Sequence, residues 1–297
     1  MLLKNRYIME EYIFNKNYFG KKYAFVQVNA EQMLDVNYLK NNGIDGFIIV
    51  TDDINKKIID IKNISEYEEL RGLNLNSYYY ESITGLSRFK NLEYLNMLGK
   101  SNDEIPFSSL GSLWCIYLNY DKRSCKSVFE CVNLEYIFID NYTETSSKDF
   151  EKFEKAKRIG LMKSKIIEFD AIKNMSKLEH IGIGYNPQMK TLKWLDGNNS
   201  LKSVAIQNCK NIKDWEIIGS LENIQKLTIE NCGELPSLNW VQQLINLQEI
   251  RIIGTTSVKD GKIKEIMKIP KLKYLFVPVK KEYDVTLQEL TVFNSKS

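Results

Sequence analysis

Two side chains in this sequence could support nucleophilic or acid–base chemistry, namely Cys115 and the only histidine, His180. A cysteine acts as a nucleophile when an activating base lies within hydrogen-bond reach. Both residues occupy the same position of a repeated strand pattern, three repeats apart. Because neighbouring parallel strands lie about 4.8 Å apart, this predicts a separation of roughly 14 Å. That distance excludes a catalytic dyad.

Other features that could bind a metal ion or a phosphate group lack a complete pattern. Asp52-Asp53 and Asp103-Glu104 are paired carboxylates without a recognisable ligand spacing, and they are most simply solvated turns. The segment Gly182–Asn186 begins like a nucleotide-binding loop but lies inside a repeat strand. We therefore expect no enzyme, no metal and no cofactor. The alternative is an enzymatic activity in the N-terminal 57 residues or a thiol-dependent activity at Cys115.

The composition is that of a soluble globular protein. Of 297 residues, 43% are hydrophobic and 27% charged, and the net charge is only +3, which disfavours a nucleic-acid partner. No run of apolar residues is long enough to span a membrane, and the N-terminal residues do not resemble a secretory signal. The five cysteines form no C-x-x-C pair, so we expect reduced thiols and a cytoplasmic location.

A repeated segment organises most of the chain. The pattern L-x-x-L-x-L, with small substitutions, recurs ten times at intervals of 21 to 25 residues. It starts at Leu70, Leu92, Leu113, Leu134, Ala156, Leu178, Leu201, Ile224, Leu247 and Leu272. Positions 4 and 6 alternate as on a strand that buries one face, and further apolar residues stand three, six and nine residues before most starts. The pattern predicts a strand and a short helical or 3₁₀ return in each unit, all sharing one core.

These units resemble leucine-rich repeats, whose pattern is L-x-x-L-x-L-x-x-N/C-x-L, and the period is similar to the short internalin-like class. In that family the ninth residue bonds to backbone groups in the turn after the strand. Asn186, Cys209 and Cys232 match this position, whereas Thr255 is one of several departures. The resemblance implies an α/β solenoid with a curved parallel sheet on the concave face and short helical or 3₁₀ returns on the convex face.

Both ends of the chain depart from the repeat and are predicted to act as caps. We expect an N-terminal α+β cap over residues 1–43, with a strand at Tyr23–Val28 and a helix around Glu31–Lys40. The repeats then span residues 44–286, about eleven units including a degenerate first one. Residues 287–297 are predicted to form a capping strand and a tail that close the last sheet edge.

The concave sheet of such a protein is the expected binding surface. Outward-facing positions of the repeats bring together an aromatic patch with acidic edges and, beside it, a basic patch. The predicted partner-binding residues are Tyr94, Trp114, Tyr117, Tyr120, Tyr136, Phe138, Asp140, Arg158 and His180. Cys115 is also predicted to face outward. Two alternatives are that the aromatic rings pack on one another or beneath a long loop, and that they stack on carbohydrate.

We therefore predict a cytoplasmic, bacterial, non-enzymatic module that binds a protein partner through the aromatic patch. An inhibitor, an immunity protein and a regulatory protein all fit this description. Self-association through the open end near Tyr23–Val28 is a further possibility.

Overall fold

The structure is a computed structural model that describes residues 13–29, 36–50, 58–60, 67, 69–76 and 79–295. The chain divides into two units, Met1–Asp140 and Asn141–Ser297. The first half of the predicted N-terminal helix, residues 31–35, and the carboxylates Asp52-Asp53 fall outside the described residues. The second half of that prediction lies within a helix over Val36–Asn41.

The first unit is built on a sheet whose strands follow one another along the chain. Its strands are β1 (Ile13–Tyr18), β2 (Lys21–Asn29), β3 (Gly46–Val50), β4 (Ile58–Asp60), β5 (Gly72–Asn76), β6 (Tyr79–Ser82), β7 (Tyr94–Met97), β8 (Lys100–Ser101), β9 (Cys115–Asn119) and β10 (Tyr136–Asp140). The main sheet has the order β1-β2-β3-β5-β7-β9-β10. All of these neighbours pair in parallel except β1 and β2, which form an antiparallel hairpin. Strands β4, β6 and β8 form a small second sheet.

Short helical segments return the chain between the strands of the first unit. They are α1 (Val36–Asn41), α2 (Lys122–Cys125) and the 3₁₀ segments Thr84–Arg88, Phe107–Ser109 and Lys126–Glu130. The core lies between these returns and the sheet. Leu95 and Met97 at motif positions 4 and 6 are fully buried, as are Ile83, Leu86 and Phe89 from the preceding return. The two patterns in the sequence therefore meet in one apolar layer, as predicted.

The second unit repeats this arrangement with greater regularity. Its strands are β11 (Arg158–Met162), β12 (His180–Gly184), β13 (Ser203–Gln207), β14 (Lys226–Glu230), β15 (Glu234–Leu235), β16 (Glu249–Ile253), β17 (Ser257–Val258) and β18 (Tyr274–Phe276). Strands β11-β12-β13-β14-β16-β18 pair in parallel and in register, while β15 and β17 form a separate pair. The returns are the 3₁₀ segments Lys148–Lys152, Asp170–Asn174, Lys193–Leu195, Trp215–Ser220, Asn239–Gln243 and Ile266–Lys268.

At motif position 8, a left-handed residue follows β10 and most strands of the second unit. These residues are Asn141, Lys163, Tyr185, Asn208, Asn231 and Gly254, with φ between 52° and 65°. The positive φ directs the side chain of the following residue, at motif position 9, into the core. There this side chain contacts backbone groups of the turn. Asn186 donates to the Ile166 carbonyl at 2.7 Å and accepts from the backbone N–H of Gln188 at 3.1 Å. The thiols of Cys209 and Cys232 contact backbone carbonyls in the same way.

The last turn of this series is displaced by one residue from the predicted position. Thr255 is exposed, whereas Thr256 is buried and accepts a 3.0 Å hydrogen bond from the backbone N–H of Cys232. This unit is also longer than the three before it, with 25 instead of 23 residues to the start of the next repeat.

The predicted C-terminal capping strand is wrong. Residues Leu287–Asn294 form a helix, α3, because Thr286 and Glu289 make a capping box at its first turn. Leu290 is buried, and the side-chain amide of Asn294 accepts from the backbone N–H of Leu275 and donates to its carbonyl, at 2.9 and 3.0 Å. The Asn294 side chain thus occupies the position in which a further strand would pair with β18.

The predicted fold class is confirmed, because parallel strands alternate with short 3₁₀ returns in both units. At the N-terminus the predicted strand Tyr23–Val28 lies within β2, which pairs with the degenerate first repeat strand β3. Strand β1 was not predicted. Together β1 and β2 form a hairpin at the edge of this sheet, and the rings of Tyr18 and Phe19 at its turn lie over the face of the sheet.

Candidate functional site

The outer face of the first sheet, opposite the 3₁₀ returns, carries an aromatic face made of Tyr94, Trp114, Tyr117, Tyr136 and Phe138. Strand alternation sends motif positions 3 and 5 to this side, which accounts for all of them except Trp114, a position-2 residue directly before β9. Register then aligns Tyr94 with Cys115 and Tyr136, and Tyr117 with Phe138. The rings of Tyr117 and Phe138 stack with centroids 4.3 Å apart and planes 8° from parallel.

A hairpin tip, residues 17–23 at the β1–β2 turn, lies on the aromatic face. The Tyr18 ring stacks on Tyr94 with centroids 4.1 Å apart, and the Phe19 ring stacks on Tyr136 at 4.0 Å. The Lys21 ammonium lies 4.3 Å from the centroid of the Trp114 ring. Each of these contacts joins a hairpin side chain to a different repeat, so the tip crosses several strands of the sheet.

The Tyr23 hydroxyl connects the hairpin tip to polar groups of the sheet. It accepts from the indole N–H of Trp114 at 2.9 Å and donates to the Glu93 carboxylate at 2.9 Å. Burial raises the pKa of Tyr23 well above its ordinary value, so the phenol stays protonated. A protonated hydroxyl can serve both partners at once, which fixes its orientation.

A chain of ion pairs continues from this hydroxyl along the start of the strands. The Arg71 guanidinium bonds to Glu93 at 3.0 Å and to Asp45 at 2.8 Å, and Asp45 in turn accepts from the backbone N–H of Ala24 at 2.9 Å. Burial alone raises the pKa of Glu93, but hydrogen bonds from Arg71 and Tyr23 outweigh it and hold that pKa below its ordinary value. Glu93 is therefore the anionic anchor of the hairpin.

Two glycines allow the ring of Phe25, the residue at which β2 begins to pair with β3, to lie over the outer face of the sheet. A Cβ atom at Gly46 or at Gly72 would come within 2.6 Å of the Phe25 ring. These residues occupy motif position 3 in the first two repeat strands, β3 and β5, where the later repeats carry Tyr94 and Tyr136. The missing side chains form the space that Phe25 fills, and Phe25 is fully buried.

Cys115 was predicted to face outward on the sheet, and its covering was not predicted. Its side chain does lie on the outer side of the sheet, but it is fully buried in a cluster with Tyr23, Phe25, Tyr94 and Trp114. Burial raises the pKa of its thiol strongly. A protonated, covered thiol is a poor nucleophile, so this geometry does not favour the thiol-dependent alternative.

Three of the predicted partner-binding residues are buried rather than exposed. Tyr94 and Trp114 are only 2% and 5% exposed because the hairpin tip covers them. Tyr120 is buried for a different reason: its ring packs against Phe129 of a 3₁₀ return, with centroids 6.0 Å apart, on the core side of the sheet. The alternative in which part of the patch packs beneath another segment therefore describes Tyr94 and Trp114 better than exposure does.

The remaining predicted residues of the first unit, Tyr117, Tyr136, Phe138 and Asp140, are half-buried. Beside them the Phe19 ring is 39% exposed and lies 6.1 Å from the Phe138 ring. Phe19 was not predicted as a site residue, because this residue lies in a turn outside the repeat. The dipeptide Phe19-Gly20 between two short apolar stretches was the available signal.

In the second unit Arg158 and His180 are half-buried on the outer face at motif position 3, aligned on neighbouring strands. Burial lowers the pKa of His180, and the nearby Arg158 guanidinium lowers it further, against the opposing effect of Glu179 at 3.9 Å. The imidazole is therefore neutral at neutral pH. Among the described residues, no group of three or more His, Cys, Asp and Glu side chains could hold a metal ion.

Parallel strands in register, 3₁₀ returns and buried Asn or Cys turn residues define the leucine-rich-repeat fold, and this chain has it. No protein-family model matches the sequence, and no curated protein matches it. Among solved structures it is similar to an internalin (inlF) of Listeria monocytogenes, with a TM-score of 0.59 and 19% identity over 81% of this chain and 70% of that one.

Two further structures show the same fold. A leucine-rich-repeat protein of Leptospira interrogans matches with a TM-score of 0.51 and 17% identity over 89% of this chain and 79% of that one. The functional domain of InlJ from Listeria monocytogenes, which includes a cysteine ladder, also gives 0.51 and 17%, over 85% of this chain and 52% of that one. At these identities the likeness concerns the fold.

Proposed function

We propose that this protein is a non-enzymatic protein-binding module whose partner docks on the outer face of the first sheet. The observation that carries the proposal is the pair of stacked, partly exposed rings of Tyr117 and Phe138. Aromatic side chains in such positions are frequent anchors of protein interfaces, because they bury a large apolar area with little loss of side-chain entropy.

The charged groups beside these rings support a protein partner rather than an apolar surface such as a lipid. Asp140 lies at the end of β10, on the strand that carries Phe138, and Glu135 precedes the same strand. An apolar centre with a polar, charged rim is the usual composition of a protein–protein interface. Neither nucleic acid nor a membrane is part of this proposal. Within the described part of the chain, no helix has the length and apolarity needed to cross a membrane.

Arg158 and His180 in the second unit are proposed as separate partner contacts. Their neighbours at motif position 5 are Gly160 and Gly182, so the guanidinium and imidazole stand beside a shallow part of the sheet. We further propose a bacterial, cytoplasmic protein that acts as an inhibitor, an immunity protein or a regulator. The fold shared with bacterial proteins and the free thiols of all five cysteines support this context.

The test compares protein capture by matched variants. Phe138→Ser and Phe276→Ser remove the same side chain from the same motif position of two different repeats, and Phe276 is 42% exposed in the second unit. Tagged wild-type protein and both variants are used for quantitative affinity capture from the native lysate, and their thermal unfolding is measured in parallel.

We expect one protein to be recovered with the wild type and with Phe276→Ser, and to fall at least tenfold with Phe138→Ser. Equal recovery by all three proteins, with unchanged melting, would contradict the proposal. Repeating the measurement with Arg158→Ser and His180→Ser tests the second unit independently.

A further inference from the structure

The hairpin tip is attached to the sheet in a different way from the rest of the hairpin. Backbone pairing between β2 and β3 begins at Phe25 and Gly46, so the part of β2 before Phe25 pairs only with β1. Beyond the Ala24–Asp45 contacts, side chains hold the tip on the aromatic face. The tip can therefore leave the face without breaking the parallel sheet.

The turn of the hairpin holds Phe19 in a costly conformation. Phe19 and Gly20 both have positive φ, 50° and 93°, as in the two-residue turns in which Asn-Gly is favoured. A bulky residue such as phenylalanine is disfavoured in this region. The ring contacts with Tyr136 and Phe138 offset this cost. A phenylalanine at this position is therefore explained by the contacts of its side chain and not by the preference of its backbone.

The hairpin tip presents a defined set of groups to the sheet beneath it. Two adjacent rings, Tyr18 and Phe19, stack on rings of the aromatic face, and one hydroxyl, from Tyr23, donates to Glu93 while accepting from Trp114. Without the tip, a carboxylate and an indole N–H would stand among exposed rings. Such a surface complements a segment that carries the same groups.

We propose that the aromatic face is a docking site for a β-hairpin of a partner protein that presents two adjacent aromatic side chains and a hydroxyl group, and that the hairpin tip is its displaceable resident occupant. This inference rests on the proposed function, because it names the partner's chemistry at the same face. The half-exposed rings of Tyr117 and Phe138 beside the tip give an arriving segment its first contact.

Cys115 provides a direct measurement of tip displacement without any partner. Its thiol lies in the cluster that includes Tyr23, whereas Cys131 is buried in a return behind the sheet, 5% exposed. The full-length protein is treated with N-ethylmaleimide, and modification of each cysteine is followed over time by peptide mass spectrometry. Cys131 reports on unfolding of the repeats, and Cys115 reports in addition on opening of the tip.

We expect Cys115 to react faster than Cys131 in the wild type. Phe19→Ser should accelerate Cys115 modification about fivefold, in line with the loss of one ring stack, and Tyr18→Ser/Phe19→Ser should do so more strongly. The control variant Phe276→Ser in the second unit should change neither rate. Modification of Cys115 and Cys131 at the same rate in every variant would overturn the proposal, because the tip would then open only with the whole unit.

The second arm tests the docking chemistry. A cyclised peptide with the sequence of residues 16–24, KNYFGKKYA, is added to Tyr18→Ser/Phe19→Ser. It should restore protection of Cys115 in a saturable manner, whereas a peptide with serine in place of both ring residues should not. Faster modification without rescue by the aromatic peptide would overturn the assigned chemistry. Neither readout depends on lysate capture, so failure here is distinguishable from failure of the proposed function.

Discussion

At the scale of single residues, Glu93 connects the hairpin tip to the repeats. It accepts from Arg71 and from two hairpin residues, Tyr23 and Lys21, so its partners come from two separate parts of the chain. These partners could not be predicted from the repeat pattern, because two of them belong to a hairpin outside the repeat. The repeat pattern predicted the outward direction of the aromatic residues correctly except for Tyr120, which packs on the core side. Their covering was missed because the repeat pattern contains no information on the hairpin.

We predict that the carboxylate of Glu93 makes folding stability depend on pH in the acid range. The pKa of Glu93 is depressed in the folded state, so its contribution is present above the ordinary carboxylate value of about 4.3 and is lost as the pH falls through the folded value. Glu93→Gln should lower the urea midpoint at pH 7 and flatten its decline toward pH 3. Glu154→Gln, an exposed control, should follow the wild type. Parallel curves for Glu93→Gln and wild type would contradict this prediction.

At the scale of elements, the base of the hairpin depends on two residues that lack a side chain. Gly72→Ala places a Cβ within 2.6 Å of the Phe25 ring, and the ring must move out of its space. We expect a loss of about 1–3 kcal/mol in the free energy of unfolding, measured by urea denaturation. Gly182→Ala is the matched control, because it also lies on an outer strand position and its Cβ would meet nothing within 4 Å. Equal stability of the two variants would show that Phe25 adapts freely.

Helix α3 protects the last strand edge of the second unit. The amide of Asn294 satisfies both backbone groups of Leu275, which would otherwise be open to pairing with another chain. Asn294→Ala should therefore promote concentration-dependent association, detected by light scattering, while Ser295→Ala should leave the protein unchanged. A monodisperse Asn294→Ala at high concentration would show that packing of the helix suffices without this amide.

The two capping elements were predicted less accurately than the repeats between them. Leu287, Leu290 and Val292 have the spacing of a repeat strand, and the capping box formed by Thr286 and Glu289 overrides that spacing. By contrast, the interior strands were predictable, because the same pattern recurs ten times and no other fold accommodates all ten copies. The pattern at Leu287–Val292 stands at the chain end without an apolar return before it, so no neighbouring copy supports its prediction as a strand.

At the scale of the whole molecule, stability in a repeat protein is distributed among neighbouring units. Asn186 bonds to the turn of its own repeat and to Ser164 and Ile166 of the previous one. Asn186→Ala should leave the N–H groups of Gln188 and Met189 without this acceptor, and we expect hydrogen exchange to accelerate most in β11 and β12. Exchange in β18 should change least. A uniform acceleration across the second unit would indicate one cooperative block instead.

The position of Trp114 beneath Lys21 and Tyr23 has a practical consequence for solution work. The other three tryptophans, Trp194, Trp215 and Trp240, all belong to the second unit, so Trp114 is the sole indole of the first. With Trp194, Trp215 and Trp240 replaced by phenylalanine, the emission of the protein would come from beneath the hairpin alone. Lifting the hairpin hydrates that indole and shifts its emission to longer wavelength, so the chain contains its own optical probe for arriving molecules.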